Sequence, residues 1–226
     1  MADENEYFID LENLNWDEYY KTLVSIEGIA VVKERSMLLN HVQKYFKANS
    51  SFGNIDYSLR KRIAGIELGT WEGINWLYFG SMIGAGYFKK GIKDNYKGIS
   101  NALNQVPLEG EITQTNFNKF IYLFSEAFQV RDGGAGLATA TRLLAMKRPD
   151  IFICIDKQNA ETAANFFNIP SNINMKHKDQ YWEEIVLKCQ TMPWWNSEPP
   201  SNPIELLAWQ GRVAMLDCIL YSIEFE

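Results

Sequence analysis

Apolar residues recur along most of this chain at intervals of three and four positions, which is the periodicity of an α-helix. In residues 33–49 they include Met37, Leu38, Val42 and Phe46, which share one face of a helix. The strict alternation that is typical of half-buried strands does not stand out in any part of the sequence. The pattern therefore predicts a mainly α-helical fold, arranged as a helical bundle.

The same periodicity predicts the individual elements. Helical segments are expected at 33–49, 57–67, 87–105, 116–128, 137–147, 159–168, 179–190 and 204–222. Thr115 or Asn116 is the expected N-cap of the helix that ends at residue 128. The apolar run IFICI at 151–155 predicts a short strand or an extended buried segment.

The charges divide the chain unevenly. Of 226 residues 46% are hydrophobic, which is enough for one large domain or two small ones. Residues 1–27 carry a net charge of −7, residues 28–180 carry +6 and residues 181–226 carry −5. This predicts an acidic N-terminal segment, residues 1–30, and a helical region, residues 31–226, of one or two packed subdomains. The basic middle of the chain allows a locally positive face despite the overall charge of −6.

The sequence also predicts where the protein works. It has no apolar run long enough for a membrane span, and its acidic start lacks the features of a signal peptide. The three cysteines, Cys154, Cys189 and Cys218, stand in apolar stretches without the spacing of a zinc site. We therefore expect a soluble intracellular protein, located in the cytoplasm, with buried reduced thiols and no metal.

The segment 129–156 is the part of the sequence that indicates most about function. One helix ends near Phe128, a glycine-rich turn follows, and a second helix begins at once. Such a turn presents backbone N–H groups at a helix N-terminus, where a phosphate can approach closely. The candidates for binding a nucleic-acid backbone are Gly133, Gly134, Gly136, Arg131 and Lys147.

Residues 129–168 resemble the helix-hairpin-helix family of DNA base-excision glycosylases. The resemblance lies in Gly134-Ala135-Gly136, the following LATATRLL helix, and an apolar segment that ends at Asp156, twenty positions after Gly136. It implies a glycosylase-like helical fold whose hairpin spans residues 129–148, base excision in DNA repair, and no cofactor. Asp156 would be the catalytic carboxylate, and the partner would be duplex DNA with a flipped damaged or modified base.

This chain differs from the family's pattern at several positions, and these differences limit the activity that the resemblance implies. Bifunctional members carry a lysine just after the hairpin, where this chain has Ala138, so the resemblance implies a monofunctional enzyme without lyase activity. Three cysteines cannot supply the four-cysteine iron–sulfur cluster of some members. The N-terminal half does not follow the layout of a known subfamily. A divergent enzyme directed at unusual bases, such as those of modified phage DNA, would act in phage defence.

An aromatic stretch offers a base pocket. Trp71, Trp76, Tyr78 and Phe79 could line it by stacking on the flipped base. The alternative is that these rings form ordinary hydrophobic core.

Structural interpretations remain open at the other positions too. Asp156 could cap a helix that starts near Asn159, and the hairpin could be a turn between core helices. A C-terminal cluster is interpreted as structural; it comprises Trp194, Trp195, Trp209, Arg212 and Asp217. Two alternatives to an enzyme follow, namely a non-catalytic helix-hairpin-helix DNA-binding protein and a helical interaction protein that binds no nucleic acid.

Overall fold

A computed structural model of the chain describes residues 10–128 and 136–222, which form a mainly α-helical bundle, as predicted. The helices are α1 (Trp16–Glu27), α2 (Ile29–Ala48), α3 (Tyr57–Ile63), α4 (Gly86–Asp94), α5 (Tyr96–Leu103), α6 (Gln114–Glu126), α7 (Leu137–Lys147), α8 (Ala160–Phe167), α9 (Lys178–Gln180), α10 (Lys188–Thr191), α11 (Pro203–Gln210) and α12 (Leu216–Ser222). Short 3₁₀ turns occupy Phe52–Asn54 and Met175–His177. Strands β1 (Thr70–Trp71) and β2 (Ile74–Asn75) pair antiparallel, with Thr70 opposite Asn75.

Side chains cap several helix starts. The Asn15 side chain accepts a hydrogen bond from Glu18 N at 3.1 Å, and Glu18 Oε2 accepts one from Asn15 N at 2.9 Å. This reciprocal pair satisfies two of the N–H groups that a helix leaves free at its start. Thr113 caps α6 by accepting from Asn116 N at 3.2 Å, so the predicted cap at residue 115 or 116 was two to three positions late.

The predicted helix at 87–105 is divided at Asn95. Its first part, α4, ends at Asp94, and α5 begins at Tyr96. The Asn95 side chain donates a hydrogen bond to Ala127 O at 2.6 Å, which fixes the bend against the end of α6.

The predicted helix at 204–222 is also divided, into α11 and α12. A Cβ at Gly211 would overlap the Leu39 side chain, so the chain passes α2 closely only because this residue is glycine. Ala214 N donates to Pro149 O at 2.9 Å, which is a tertiary bond in place of a helical one. Packing against α2 and residue 149 thus interrupts a segment whose sequence favours one helix.

The predicted helix at 179–190 is continuous from α9 to α10, but its middle, Tyr181–Leu187, is a π-helix. Here Tyr181 and Trp182 stack on Phe117 of α6 with ring centroids 5.8 and 5.2 Å apart. The Tyr181 hydroxyl donates to Ile153 O at 2.7 Å. This helix therefore packs against the segment 151–155.

One connected hydrophobic cluster runs through the described residues, from Leu11 to Leu220. The acidic N-terminal segment joins it, because Tyr19 is fully buried and its hydroxyl donates to Arg212 O at 2.7 Å. Trp194 stacks on Tyr19 with a centroid distance of 4.5 Å. Among the described part of segment 1–30, helix α1 is therefore integrated with the core of the later helices. Within the described ranges, no helix combines the length and apolarity that a membrane crossing requires.

Candidate active site

Asp156 stands at the end of a buried segment. Residues 151–155 are all buried, and they belong to no helix and to no paired strand. Ile155 N donates to Thr141 Oγ1 of α7 at 3.2 Å, so the segment is anchored to the helix that follows the predicted hairpin. The next residue, Asp156, is half-buried, and Lys157 is exposed. The carboxylate therefore stands where a buried segment meets the surface.

One oxygen of Asp156 stabilises a turn. Oδ1 accepts hydrogen bonds from Gln158 N at 2.8 Å and from Asn159 N at 3.3 Å. Asn159 reciprocates, because its Oδ1 accepts from Asp156 N at 2.9 Å and its Nδ2 donates to Cys154 O at 2.9 Å. The N-cap of α8 is Asn159. Asp156 thus orders the turn before the helix rather than capping the helix itself.

The other oxygen faces α12. The Tyr221 hydroxyl donates a hydrogen bond to Asp156 Oδ2. Burial, then the charge of Asp217 and the bond to Asp156, raise the pKa of the Tyr221 phenol, so it stays protonated and remains a donor. Sequence reasoning missed Tyr221. The only signal was its position four residues after Asp217 on one helix, which places both side chains on the same face.

Asp217 belongs to this neighbourhood, not to the tryptophan cluster in which the sequence placed it. It is 2% exposed, and its Oδ2 accepts from Arg35 Nη1 at 2.7 Å and from Phe79 N at 3.2 Å. Its Oδ1 is buried and has no hydrogen-bond partner among the described residues. Burial raises the pKa of Asp217 to about 6, the negative charge of Asp156 adds to this, and Arg35 opposes it.

Arg142 of α7 joins three parts of the site. It is fully buried, and its guanidinium donates to the carbonyl oxygens of Ile63 and Trp76 at 3.0 Å each. It also donates to Tyr78 O and, at 3.3 Å, to Gly80 O. Burial lowers the pKa of Arg142 to about 10, which leaves it charged at neutral pH. A single cation thereby fixes the backbone of residues 76–80 to α7.

The predicted pocket aromatics are placed mainly in the core. Trp76 and Phe79 are each 1% exposed, as in the core alternative. Tyr78 is half-buried, and its hydroxyl donates to Glu34 Oε2 at 3.2 Å. Trp71 lies in β1.

The backbone of this stretch, at Gly80, comes closest to the carboxylate. A Cβ at Gly80 would lie 2.5 Å from Cys154 Sγ and 3.4 Å from Asp156 Oδ2. Gly80 also has a φ of +96°. Glycine is therefore required here both for space and for backbone conformation.

Two of the five candidate phosphate-binding residues, Gly136 and Lys147, lie in the part of the chain that the structure describes. Arg131, Gly133 and Gly134 lie outside the described residues. Gly136 is the exposed N-cap of α7, and no side chain among the described residues caps that helix start. An uncapped helix N-terminus of this kind favours an anion.

Lys147 lies at the other end of α7 and points inward. It is 6% exposed, and its Nζ donates to Leu103 O at 2.7 Å. Burial lowers its pKa to about 8. In this arrangement the ammonium is engaged inside the protein and does not contribute to a surface for phosphates.

The remaining C-terminal aromatics form the structural cluster that the sequence indicated. The Arg212 guanidinium lies between the rings of Trp195 and Trp209, at 4.9 and 4.3 Å from their centroids. It donates to the carbonyl oxygens of the same two residues at 3.0 Å each. Trp194 is fully buried.

The three cysteines are free and buried, as expected. Within residues 10–128 and 136–222, no group of three or more His, Cys, Asp or Glu side chains is arranged to hold a metal ion.

Comparisons of the chain with protein-family models, with curated proteins and with solved structures gave no match. The resemblance to helix-hairpin-helix glycosylases that residues 129–168 suggest therefore stays a prediction from the sequence.

Proposed function

We propose that this protein is a monofunctional DNA glycosylase that hydrolyses the N-glycosidic bond of a damaged or modified base. The observation that carries the proposal is the half-buried Asp156 carboxylate, held on both oxygens at the end of a buried segment. A carboxylate fixed by several hydrogen bonds is preorganised to stabilise positive charge that develops beside it. The twenty-residue interval from Gly136 to Asp156 supports the same assignment.

In the proposed reaction the bond between C1′ and the base nitrogen breaks, and the base leaves with the electron pair. The sugar passes through an oxocarbenium-like state, which Asp156 stabilises electrostatically. Water then bonds to C1′ and gives up one proton to the Asp156 carboxylate, and this proton passes through solvent to the departing base, so the carboxylate is regenerated. Ala138 carries no amine, so no Schiff base forms at that position and the sugar–phosphate backbone stays intact.

DNA is the proposed partner because of two features. The start of α7 at Gly136, which no described side chain caps, offers N–H groups to a phosphate, and residues 28–180 carry a net positive charge. Opening the duplex would bring the flipped base to Asp156.

Base release is the direct test. The protein is incubated with a panel of duplexes that carry damaged or modified bases and with naturally modified phage DNA, and free base is measured by mass spectrometry. Asp156→Asn should lower the release rate about a hundredfold or more, because the amide carries no charge. Its oxygen can still accept from Gln158 N and Asn159 N, so the turn should persist.

Glu161→Gln is the matched control, since this exposed acid lies in the first turn of α8, close to Asp156 in sequence. The control should release base at the wild-type rate. Equal losses in both variants, or release that survives Asp156→Asn, would contradict the proposed role of Asp156.

A non-catalytic DNA-binding protein is the second candidate. The hydrogen bonds that would orient Asp156 for catalysis are also compatible with this candidate, because Tyr221 must release one oxygen before that oxygen can face a substrate. In that case no substrate would release base, while DNA binding would persist and weaken steeply with salt.

A further inference from the structure

Four lysines lie on the outer faces of α4 and α5. Lys89, Lys90, Lys93 and Lys97 are all exposed, and we call this set the lysine ridge. The inner face of α4, in contrast, is apolar and buried. The ridge therefore faces solvent over the length of α4 and the first turn of α5.

The lysine ridge carries an excess of positive charge, because the exposed Asp94 is the single acid among residues 89–97. Its four ammonium groups form no ion pair with any described carboxylate. Lys47 lies 3.1 Å from Glu109, whereas other exposed lysines such as Lys44 and Lys119 also form no ion pair with a described carboxylate. The ridge differs from these because its four lysines lie close together in sequence, within residues 89–97 of two consecutive helices. Lys89 and Lys93 are four positions apart on one helix, where like charges repel. The arrangement slightly disfavours folding, and an anionic partner would relieve it.

The buried face of α4, on the side of the helix away from the ridge, packs against the chain just before residue 129. A Cβ at Gly91 of α4 would overlap the Phe128 ring, so the helix touches the end of the preceding segment. Asn95 donates to Ala127 O at 2.6 Å, and a Cβ at Gly98 would lie 3.1 Å from Ala127 Cβ. Residues 127 and 128 are the last described positions before 129. Close packing at Gly91 and Gly98 thus brings the junction of α4 and α5 against residues 127 and 128.

We infer that the lysine ridge is a second contact surface for the DNA backbone, beyond the hairpin residues named from the sequence. Phosphates of a bound duplex would lie along the outer faces of α4 and α5, where the ammonium groups replace their counterions. The inference rests on DNA as the proposed partner but not on catalysis. Tyr87, which is 49% exposed at the start of α4, borders the ridge.

The test is the salt dependence of binding to an unmodified labelled duplex, measured by fluorescence anisotropy. A variant with glutamine at all four ridge positions should bind more weakly at low salt. Each lost phosphate contact should reduce the slope of log K against log salt by about 0.9. The variant should melt at or above the wild-type temperature, because removing the lysines relieves like-charge repulsion.

A charge-matched control carries the same change at four other lysines, namely Lys44, Lys47, Lys178 and Lys188. It has the same net charge as the ridge variant and should keep the wild-type slope. An equal loss in the control, or an unchanged slope in the ridge variant, would overturn the inference.

The experiment also separates this inference from the proposed enzyme. A wild-type protein that shows no salt-sensitive DNA binding would overturn both. Binding that depends on the ridge, without base release from any substrate, would support the ridge and overturn the glycosylase.

Discussion

Tyr221 holds the carboxylate of Asp156 from a helix that lies 65 residues further along the chain. The two side chains meet because α8, which follows Asp156, packs against α12. The phenol occupies one oxygen of Asp156 and the turn at 158–159 occupies the other. The orientation of the carboxylate is therefore set by the tertiary structure as well as by its own turn.

Replacing Tyr221 by phenylalanine removes only the hydroxyl. We expect kcat for base release to fall about tenfold, equivalent to ~1.4 kcal/mol, with little change in KM. The melting temperature should change little, because the ring remains. Tyr122→Phe, at a tyrosine that is 64% exposed, is the control. Unchanged kcat in Tyr221→Phe would show that the hydroxyl does not assist Asp156.

Gly80 should tolerate no side chain. In Gly80→Ala the new Cβ would stand 2.5 Å from Cys154 Sγ, at a φ of +96°. We expect a loss of about 1–3 kcal/mol in the free energy of unfolding, measured by urea denaturation. Gly84→Ala is the matched control, because a Cβ there meets no atom within 4 Å. A stable Gly80→Ala protein would contradict the close approach of residue 80 to Cys154.

Asp217 should make stability depend on pH. Its pKa rises from 3.8 to about 6 on folding, so the folded protein holds this proton more tightly than the unfolded chain. The contribution to stability is complete below about pH 4 and is lost as the pH rises through about 6. Relative to Asp217→Asn, the wild type should lose on the order of 3 kcal/mol across this window. Chemical denaturation of both proteins at several pH values measures the difference, and a pH-independent difference would contradict it.

Lys147 should be dispensable for DNA binding. Lys147→Met keeps most of the chain length and removes an ammonium that already donates to Leu103 O. We expect an unchanged salt slope in the anisotropy assay. Because the folded pKa is about 8 against an ordinary 10.5, wild-type stability should rise between these pH values, and the variant should lack this rise. A reduced salt slope in the variant would show that Lys147 does contact the DNA backbone.

The sequence predicted the helices well where local pattern decides, and less well where a distant segment does. The breaks at Asn95 and Gly211 depend on Ala127 and Leu39, which no local periodicity reveals. The apolar run at 151–155 correctly indicated burial, but it forms no paired strand.

The residues of the candidate site show the same contrast between what local sequence indicates and what distant contacts decide. The family resemblance and its spacing pointed to Asp156 as a candidate, whereas Tyr221 and Asp217 lie near it only through the packing of α12. Lys147 was read as a surface residue because lysines in a last helical turn usually are. Nearly every side chain of α7 is buried, however, and the acceptor for Lys147 comes from α5. Arg142, a charged residue in the middle of this apolar helix, was the signal that went unused.

The hydrogen bonds of Arg142 determine which side of the candidate site can move to admit a substrate. Its guanidinium donates to carbonyl oxygens at the end of α3 and along residues 76–80. A movement of either segment away from α7 therefore breaks a hydrogen bond to Arg142. These segments should open only together, and their amide hydrogens should exchange with solvent at similar, slow rates. Any adjustment that admits a ligand to Asp156 would then come from the opposite wall, where Tyr221 can rotate away from the carboxylate.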